Sequence, residues 1–198
     1  MKTKTECSKK KKIADTQPAK SRVMSTAWEP FAQGLAQTIA SLQEDSFLVI
    51  SKKNTNQFVQ VMAQGAFGTR LETTSNYFRD EANQLTNAQI ACLIDVGWNL
   101  PTGSQIYGTP ECDPDGSPNF FIDAAPTINY VALANIAIKT FIEILHISHP
   151  GFLEYEFFDC AGNSIALPAL GLKHANANYQ KNALPKLITD TLIEVTGL

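Results

Sequence analysis

The chain has 198 residues, of which 44% are apolar and 18% are charged, and its formal net charge is −3. This length fits one domain or one domain with a tail, and a body of roughly 170 residues can bury a core without a metal or a disulfide. The composition excludes a fully disordered chain, a collagen-like repeat and a small disulfide scaffold.

The positive charge is concentrated at the N-terminus. Residues 1–25 carry eight Lys or Arg and two acidic residues, a balance of +6, so the rest of the chain carries −9. We predict a disordered basic tail here. The alternatives are that the tail contacts nucleic acid, anionic lipid or an acidic partner, or that translation begins at Met24. An acidic body makes nucleic-acid binding the less favoured option, because it lacks the basic stripe of a duplex-binding domain.

The cysteines and the apolar stretches indicate a cytoplasmic protein. No C-x-x-C pair is present, and Cys92 is predicted to be a small buried residue of a helix. Reduced thiols and the lack of a signal peptide fit the cytoplasm. The apolar stretch over residues 128–147 contains Asn135, Lys139 and Glu143, so we predict a buried helix there and not a membrane span.

The first half of the chain predicts a helix, a three-stranded meander and a second helix. Thr26 and Glu29 have the spacing of a capping box, and apolar residues follow at helical spacing to Leu42. Three strand-like runs joined by short loops come next, over residues 46–51, 57–63 and 68–75. The second helix begins after Thr86, with Gln89 three residues on, and stops at Gly97.

The second half predicts a long loop, a central helix and two more strands. Residues 99–125 are rich in Pro and Gly, and the apolar run at residues 119–123 within them needs a pocket or a partner. The third helix is predicted to start at residues 125–127. Strands follow over residues 153–157 and 165–167, and the last residues could form a short helix. Helices and strands in separate blocks indicate an α+β fold with helices packed on a mainly antiparallel sheet.

The sequence contains no motif of a known catalytic or metal site. The stretch Asp113–Asp115 lacks the glycine and glutamate positions of a calcium loop. His146 and His149 are most simply explained by a helix C-terminus, and Glu154 and Glu156 by the solvated face of a strand. No nucleophile is paired with a base. We therefore predict a non-enzymatic protein with no cofactor and no metal.

Aromatic residues are the better indication of function. If Tyr155 and Phe157 face the core, Phe158 faces outward, where it could mark a partner site. A helix or a second subunit covering Phe158 is an equally good interpretation. The candidate peptide-binding residues are Trp98, Phe120, Phe121 and Phe158.

Several segments in a fixed order resemble the bacterial TY-Chap domains, which are grouped with type III secretion chaperones and YbjN. The resemblance covers about residues 27–173. The segments that carry it are Trp28-x-x-Phe31 with Leu35, Phe47 to Ile50, Phe58 to Gln60 with Glu72 and Ser75-Asn76, Leu85-Thr86 through Gly97-Trp98-x-x-Pro101, Asn119-Phe120, Leu153-Glu154-Tyr155-x-x-Phe158-Asp159, and Leu167 to Leu172.

This resemblance implies a secretion-chaperone-like α+β fold, often dimeric, that holds an extended peptide and brings no catalytic residues. We therefore expect a basic tail over residues 1–25, a TY-Chap-like domain over residues 26–173 and an extension over residues 174–198. The expected function is a peptide- or protein-binding module, a chaperone for a client polypeptide, with a homodimer as a further expectation. The alternative is a regulatory adaptor or immunity-type protein that recognises one folded partner.

Overall fold

The structure is a computed structural model that describes residues 25–102, 116–162, 167 and 170–175. The basic tail before Ser25, the Asp113–Asp115 stretch, most of the predicted strand over residues 165–167 and the chain after Ala175 lie outside these residues. The division into tail, domain and extension stays a prediction.

In the described residues, three helices pack against one face of a six-stranded sheet, so the predicted α+β class is confirmed. The strand order is β4-β3-β2-β1-β5-β6, and all neighbours are antiparallel except β5 and β6. In chain order the elements are α1 (Trp28–Ser41), β1 (Ser46–Lys52), β2 (Phe58–Ala63), β3 (Thr69–Thr73), α2 (Asn87–Val96), β4 (Phe120–Ala124), α3 (Tyr130–Lys139), β5 (Leu153–Asp159) and β6 (Lys173–His174).

The first helix has the predicted apolar face but not the predicted cap. Phe31, Leu35 and Ile39 are buried along one side of α1. The capping box at Thr26 was wrong. Ala27 is the N-cap residue, and it already has helical backbone angles and no side-chain cap. The turn before α1 begins at Ser25, whose carbonyl accepts from the N–H of Trp28.

The second helix has both predicted ends. Thr86 and Gln89 form a complete capping box, and Gly97 stops the helix with a left-handed backbone. The prediction that Cys92 is buried was wrong, because Cys92 is exposed. Leu93 takes the inward position instead, and successive helical residues lie about 100° apart around the axis.

The third helix begins later than predicted because residues 120–124 form a strand. The apolar run that needed a pocket is β4, which pairs with β3. The chain then turns before Asn129, whose side chain caps α3. Asn135, Lys139 and Glu143 are exposed, as the predicted polar stripe requires.

The helix α3 continues into a π turn over Thr140–Ile144, and this turn joins α3 to α2. The side-chain amide of Gln89 donates to the carbonyl of Ile144 over 2.7 Å. Among the described residues, no helix has the length and apolar character needed to cross a membrane.

The hydrophobic core lies between the helices and the inner face of the sheet. Side chains of β1, β2 and β5 alternate, and every second one enters this core. The inward strand residues include Leu48, Ile50, Val59, Val61, Leu71, Leu153, Tyr155 and Phe157. The intervening residues form the opposite side of the sheet, which we call the outer face.

Candidate functional site

Strand register orders the outer face into two rows that cross the sheet from β5 to β4. We call them the Phe158 row and the Glu156 row. The Phe158 row consists of Phe158, Phe47, Met62, Arg70 and Asp123. The Glu156 row consists of Glu156, Val49, Gln60, Glu72 and Phe121. Members of a row lie directly opposite one another on neighbouring strands, so their side chains are in reach of one another.

The Phe158 row is apolar at one end and charged at the other. The Phe158 ring stacks on Phe47 with centroids 5.2 Å apart and planes 12° apart. Phe47 is buried, whereas Phe158 and Met62 are half-buried. At the other end Arg70 donates to both carboxylate oxygens of Asp123, over 2.6 and 2.8 Å.

Arg70 also organises the neighbouring end of the Glu156 row. Its guanidinium lies over the Phe121 ring, 5.3 Å from the centroid, and donates to the carbonyl of Gly116. The backbones of Thr102 and Ser117 are hydrogen-bonded to each other in the same region. The chain on either side of residues 103–115 is therefore attached to the outer face through Arg70 and this backbone contact.

The Glu156 row places two carboxyl groups in surroundings poor in water. Burial raises the pKa of Glu72, although hydrogen bonds from the Ser117 hydroxyl and the Asn119 amide and the charge of Arg70 oppose this. Burial also raises the pKa of Glu156, opposed by the charge of His174. Glu156 is half-buried, so the solvated face expected for it is solvated only in part.

Two acceptor oxygens of this row are buried without a partner. Oε1 of Gln60 and Oε2 of Glu156 have no hydrogen-bond donor in the described part of the chain. Gln60 is only 4% exposed. A buried acceptor without a donor costs about 1–3 kcal/mol.

The structure separates the four candidate residues into two pairs. Trp98 and Phe120 are each 2% exposed and belong to the core. The indole N–H of Trp98 donates to the Thr140 hydroxyl over 3.0 Å. Phe121 and Phe158 lie on the outer face, as the alternation around Phe158 predicts, but they are four strand spacings apart, about 19 Å.

Sequence reasoning did not find Gln60, Glu72 and Glu156 as site residues. A signal was present in β5, where Glu154 and Glu156 alternate with apolar residues, and weakly in β3 with Arg70 and Glu72, whereas Gln60 is the only polar residue of β2. The alternation shows that these residues share a face but not whether the face is wet. Burial of the carboxyl groups is a property of the assembled sheet.

The two neighbouring histidines lie in different local structures. His146 ends the α3 region with a left-handed backbone and is exposed. His149 caps the turn over Pro150–Phe152, where its Nδ1 accepts from the N–H of Gly151 over 2.8 Å. Within the described ranges, no group of three His, Cys, Asp or Glu residues is arranged to hold a metal ion.

A comparison with protein-family models gives a match that covers well over half of the chain. The matching model is TY-Chap3, described as T3SS (YopN, CesT) and YbjN peptide-binding chaperone 3, and it covers residues 21–159. Comparisons with the curated proteins and with the solved structures gave no significant match. The matched range ends at Asp159, the last residue of β5, so it includes every strand of both rows.

Proposed function

Because this chain belongs to the TY-Chap3 family of peptide-binding chaperones, we propose that it is a non-enzymatic cytoplasmic chaperone that holds an extended segment of a client polypeptide. The observation that carries this proposal is the extent of the family match, which runs from before α1 to the end of β5. The matched range therefore contains α1, α2, α3 and the strands β1 to β5, which form the outer face.

The outer face has the chemistry of a peptide-binding surface. Phe121, Phe158 and Met62 are half-buried on this face, whereas Val49 and Gln60 are buried. Apolar contact area together with a few polar groups is the usual composition of a site that orients a ligand. We propose that client segments lie across this face, with Phe121 and Phe158 at its two ends.

The spacing of the carboxyl groups of Glu72 and Glu156 favours binding over catalysis. Glu72 and Glu156 are three strand spacings apart, about 14 Å, with Val49 and Gln60 between them. Carboxyl groups that act together on one bond lie within about 5–10 Å of each other. The two groups of this face consequently contact different parts of a bound segment.

Exposed apolar side chains elsewhere support a second proposal, a regulatory adaptor or immunity-type protein that recognises one folded partner. Ile94 on α2 is 46% exposed and Leu100, just after it, is 56% exposed. Ile94 lies on α2 and Leu100 lies shortly after α2 in the chain, so neither residue is on a strand of the outer face. A homodimer formed through this helical side belongs to the same proposal.

Binding of fluorescent peptides to the full chain tests the chaperone proposal. The measurement is fluorescence polarisation with a set of extended peptides of about 12 residues. Phe158→Ser is expected to weaken binding at least fivefold. Val131→Ser is the matched control, because Val131 is 55% exposed on α3, away from the outer face.

Two results would contradict the chaperone proposal. One is that no extended peptide binds, while a single intact protein does. The other is that Phe158→Ser and Val131→Ser have the same effect, which would remove the outer face from the binding surface.

A further inference from the structure

Two residues at the centre of the outer face are buried more deeply than an open sheet surface allows. Phe47 is 2% exposed and Val49 is 3% exposed, and both lie on β1. Neither belongs to the hydrophobic core between the helices and the sheet. Neighbours within a sheet cover the sides of a side chain but leave its end in water, so a second layer lies over these two residues.

The described elements do not supply this layer. The buried apolar residues of α1, α2 and α3 belong to the core on the other side of the sheet. Ser117 and Asn119 do contact the outer face, but at Glu72 on β3, two strand spacings or about 10 Å from β1. Because the burial is that of a single copy of the chain, the layer belongs to the same chain.

The chain that follows β6 begins beside the outer face. Tyr155 lies opposite His174, and Ala175 extends β6 by donating its N–H to the carbonyl of Tyr155 over 2.7 Å. Side chains alternate along a strand, so Ala175 is on the outer side, next to Glu156. Ala175 is only 3% exposed although β6 is at the edge of the sheet. Residues 176–198 therefore start at a position of the outer side that is already covered.

The N-terminal segment fits the layer less well. Residues 1–24 precede α1, whose apolar side lies in the core on the helical side of the sheet. They carry eight Lys or Arg, and their only large aliphatic residues apart from two methionines are Ile13 and Val23. A segment of this composition has little apolar surface to bury.

The sequence of residues 184–195 has the pattern of an amphipathic helix. Its apolar residues at helical spacing are Leu184, Leu187, Ile188, Leu192 and Val195. Such a stripe needs an apolar surface to pack against. The centre of the outer face, with the two phenylalanines of the Phe158 row, is a surface of this kind.

The length of the segment and of its connection fits this position. A helix over residues 184–195 is about 18 Å long, and strands of seven residues such as β1 and β5 are about 23 Å long. Residues 176–183 can span up to about 27 Å when extended. The distance from β6 to β1 is two strand spacings, about 10 Å, so the connection is long enough.

We propose that residues 184–195 form an amphipathic helix that covers the outer face of the same chain. Its apolar side packs on Phe47, Val49 and Phe158. The helix then occupies the surface proposed for client segments, and a client binds by displacing it. The covering of the face is independent of the proposed chaperone function, whereas the displacement rests on it.

Photo-crosslinking in the full chain tests whether the segment covers the face. Phe158→benzoylphenylalanine places the reactive group at a half-buried position of the outer face. The expected product joins position 158 to residues 184–195 of the same chain, with a yield that does not change on dilution. Val131→benzoylphenylalanine is the matched control, because Val131 is 55% exposed on α3, and it is expected to give no such product.

Other products would overturn the inference. These are crosslinks from position 158 to residues 1–24 or 103–115 in place of residues 184–195, a crosslink to a second copy that is lost on dilution, and equal yields from positions 158 and 131. Met62→benzoylphenylalanine repeats the test from a second half-buried position of the face, so the result stands even if a change at Phe158 impairs folding.

Two matched substitutions in the segment test the displacement. Ile188→Ser removes an apolar group from the side that packs on the sheet, so it is expected to tighten the binding of extended peptides at least fivefold in fluorescence polarisation. Ile193→Ser makes the same change about 140° away around the helix axis and is expected to leave binding unchanged. Equal effects of the two substitutions would overturn the displacement.

The failure of this inference can be told apart from that of the proposed function. Peptide binding without a crosslink to residues 184–195 would overturn the inference and leave the chaperone proposal standing. The crosslink without peptide binding by the unaltered chain or by Ile188→Ser would overturn the proposed function and leave the covered face standing.

Discussion

Phe158 stacks on Phe47 across the ladder of β5 and β1, on the side of the sheet that faces away from the helices. Phe47 is 2% exposed, whereas Phe158 is half-buried. Phe47 is therefore part of the packed interior of the protein, whereas part of the Phe158 ring can contact a ligand.

This difference predicts separate effects for the two phenylalanines. Phe47→Ala is expected to lower the free energy of unfolding by about 3–5 kcal/mol, because it removes a fully buried ring. Phe158→Ala is expected to cost about 1 kcal/mol, the size of an aromatic pair contact, and to weaken peptide binding. Chemical denaturation and fluorescence polarisation measure the two effects. Equal losses of stability for both variants would contradict the assignment.

The hydrogen bond between Trp98 and Thr140 predicts a second pair of variants. Thr140→Val leaves the buried indole N–H of Trp98 without an acceptor and is expected to cost about 1–3 kcal/mol. Thr38→Val is the matched control, because Thr38 also donates to the carbonyl four residues earlier in a helix and is also buried. It is expected to cost less than about 1 kcal/mol in thermal or chemical unfolding. A similar cost for both variants would show that the bond to Trp98 contributes little.

Gly68 is predicted to tolerate no side chain. Its φ is +103°, and a Cβ atom there would lie 2.0 Å from the carbonyl oxygen of Ala124 at the end of β4. Gly68→Ala is therefore expected to cost more than about 3 kcal/mol, because either the β2–β3 connection or β4 must move. Gly97→Ala is the control, since Gly97 also has a positive φ but has open space around it. Strain alone is expected to cost that variant about 1 kcal/mol, and unfolding in urea compares the two.

The buried Glu72 predicts a dependence of stability on pH. Burial raises the pKa of Glu72 in the folded chain above its ordinary value of 4.5. Between 4.5 and the folded-state pKa, the folded chain keeps a proton that the unfolded chain has released. The contribution of Glu72 to the free energy of unfolding therefore falls as the pH rises through this interval and is constant above it.

The measurement is the free energy of unfolding of the full chain and of Glu72→Gln between pH 4 and 8. The variant lacks this titration, so its stability relative to the unaltered chain is expected to improve as the pH rises. Thr38→Val, which removes no ionisable group, is the control, and its stability relative to the unaltered chain is expected to stay constant with pH. A difference between Glu72→Gln and the unaltered chain that stays constant with pH would contradict the assignment.

Local sequence predicted much of the secondary structure. Thr86, Gln89 and Gly97 determine both ends of α2, because capping depends on side chains and backbone within one turn. The three-stranded meander follows from short loops and alternation. The strand β4 could not be recognised in the same way, because it follows a loop rich in Pro and Gly and gains its identity by pairing with β3.

The candidate site, too, was predicted by local sequence in some features and determined by strand pairing in others. The alternation along β5 predicted that Phe158 and Glu156 lie opposite the core, and the order of segments pointed to the TY-Chap family. Only the register of β5, β1, β2 and β3 places Glu156, Gln60 and Glu72 in one row. The reason is physical: face and family depend on neighbours in sequence, whereas burial and missing hydrogen-bond donors depend on strands far apart in the chain.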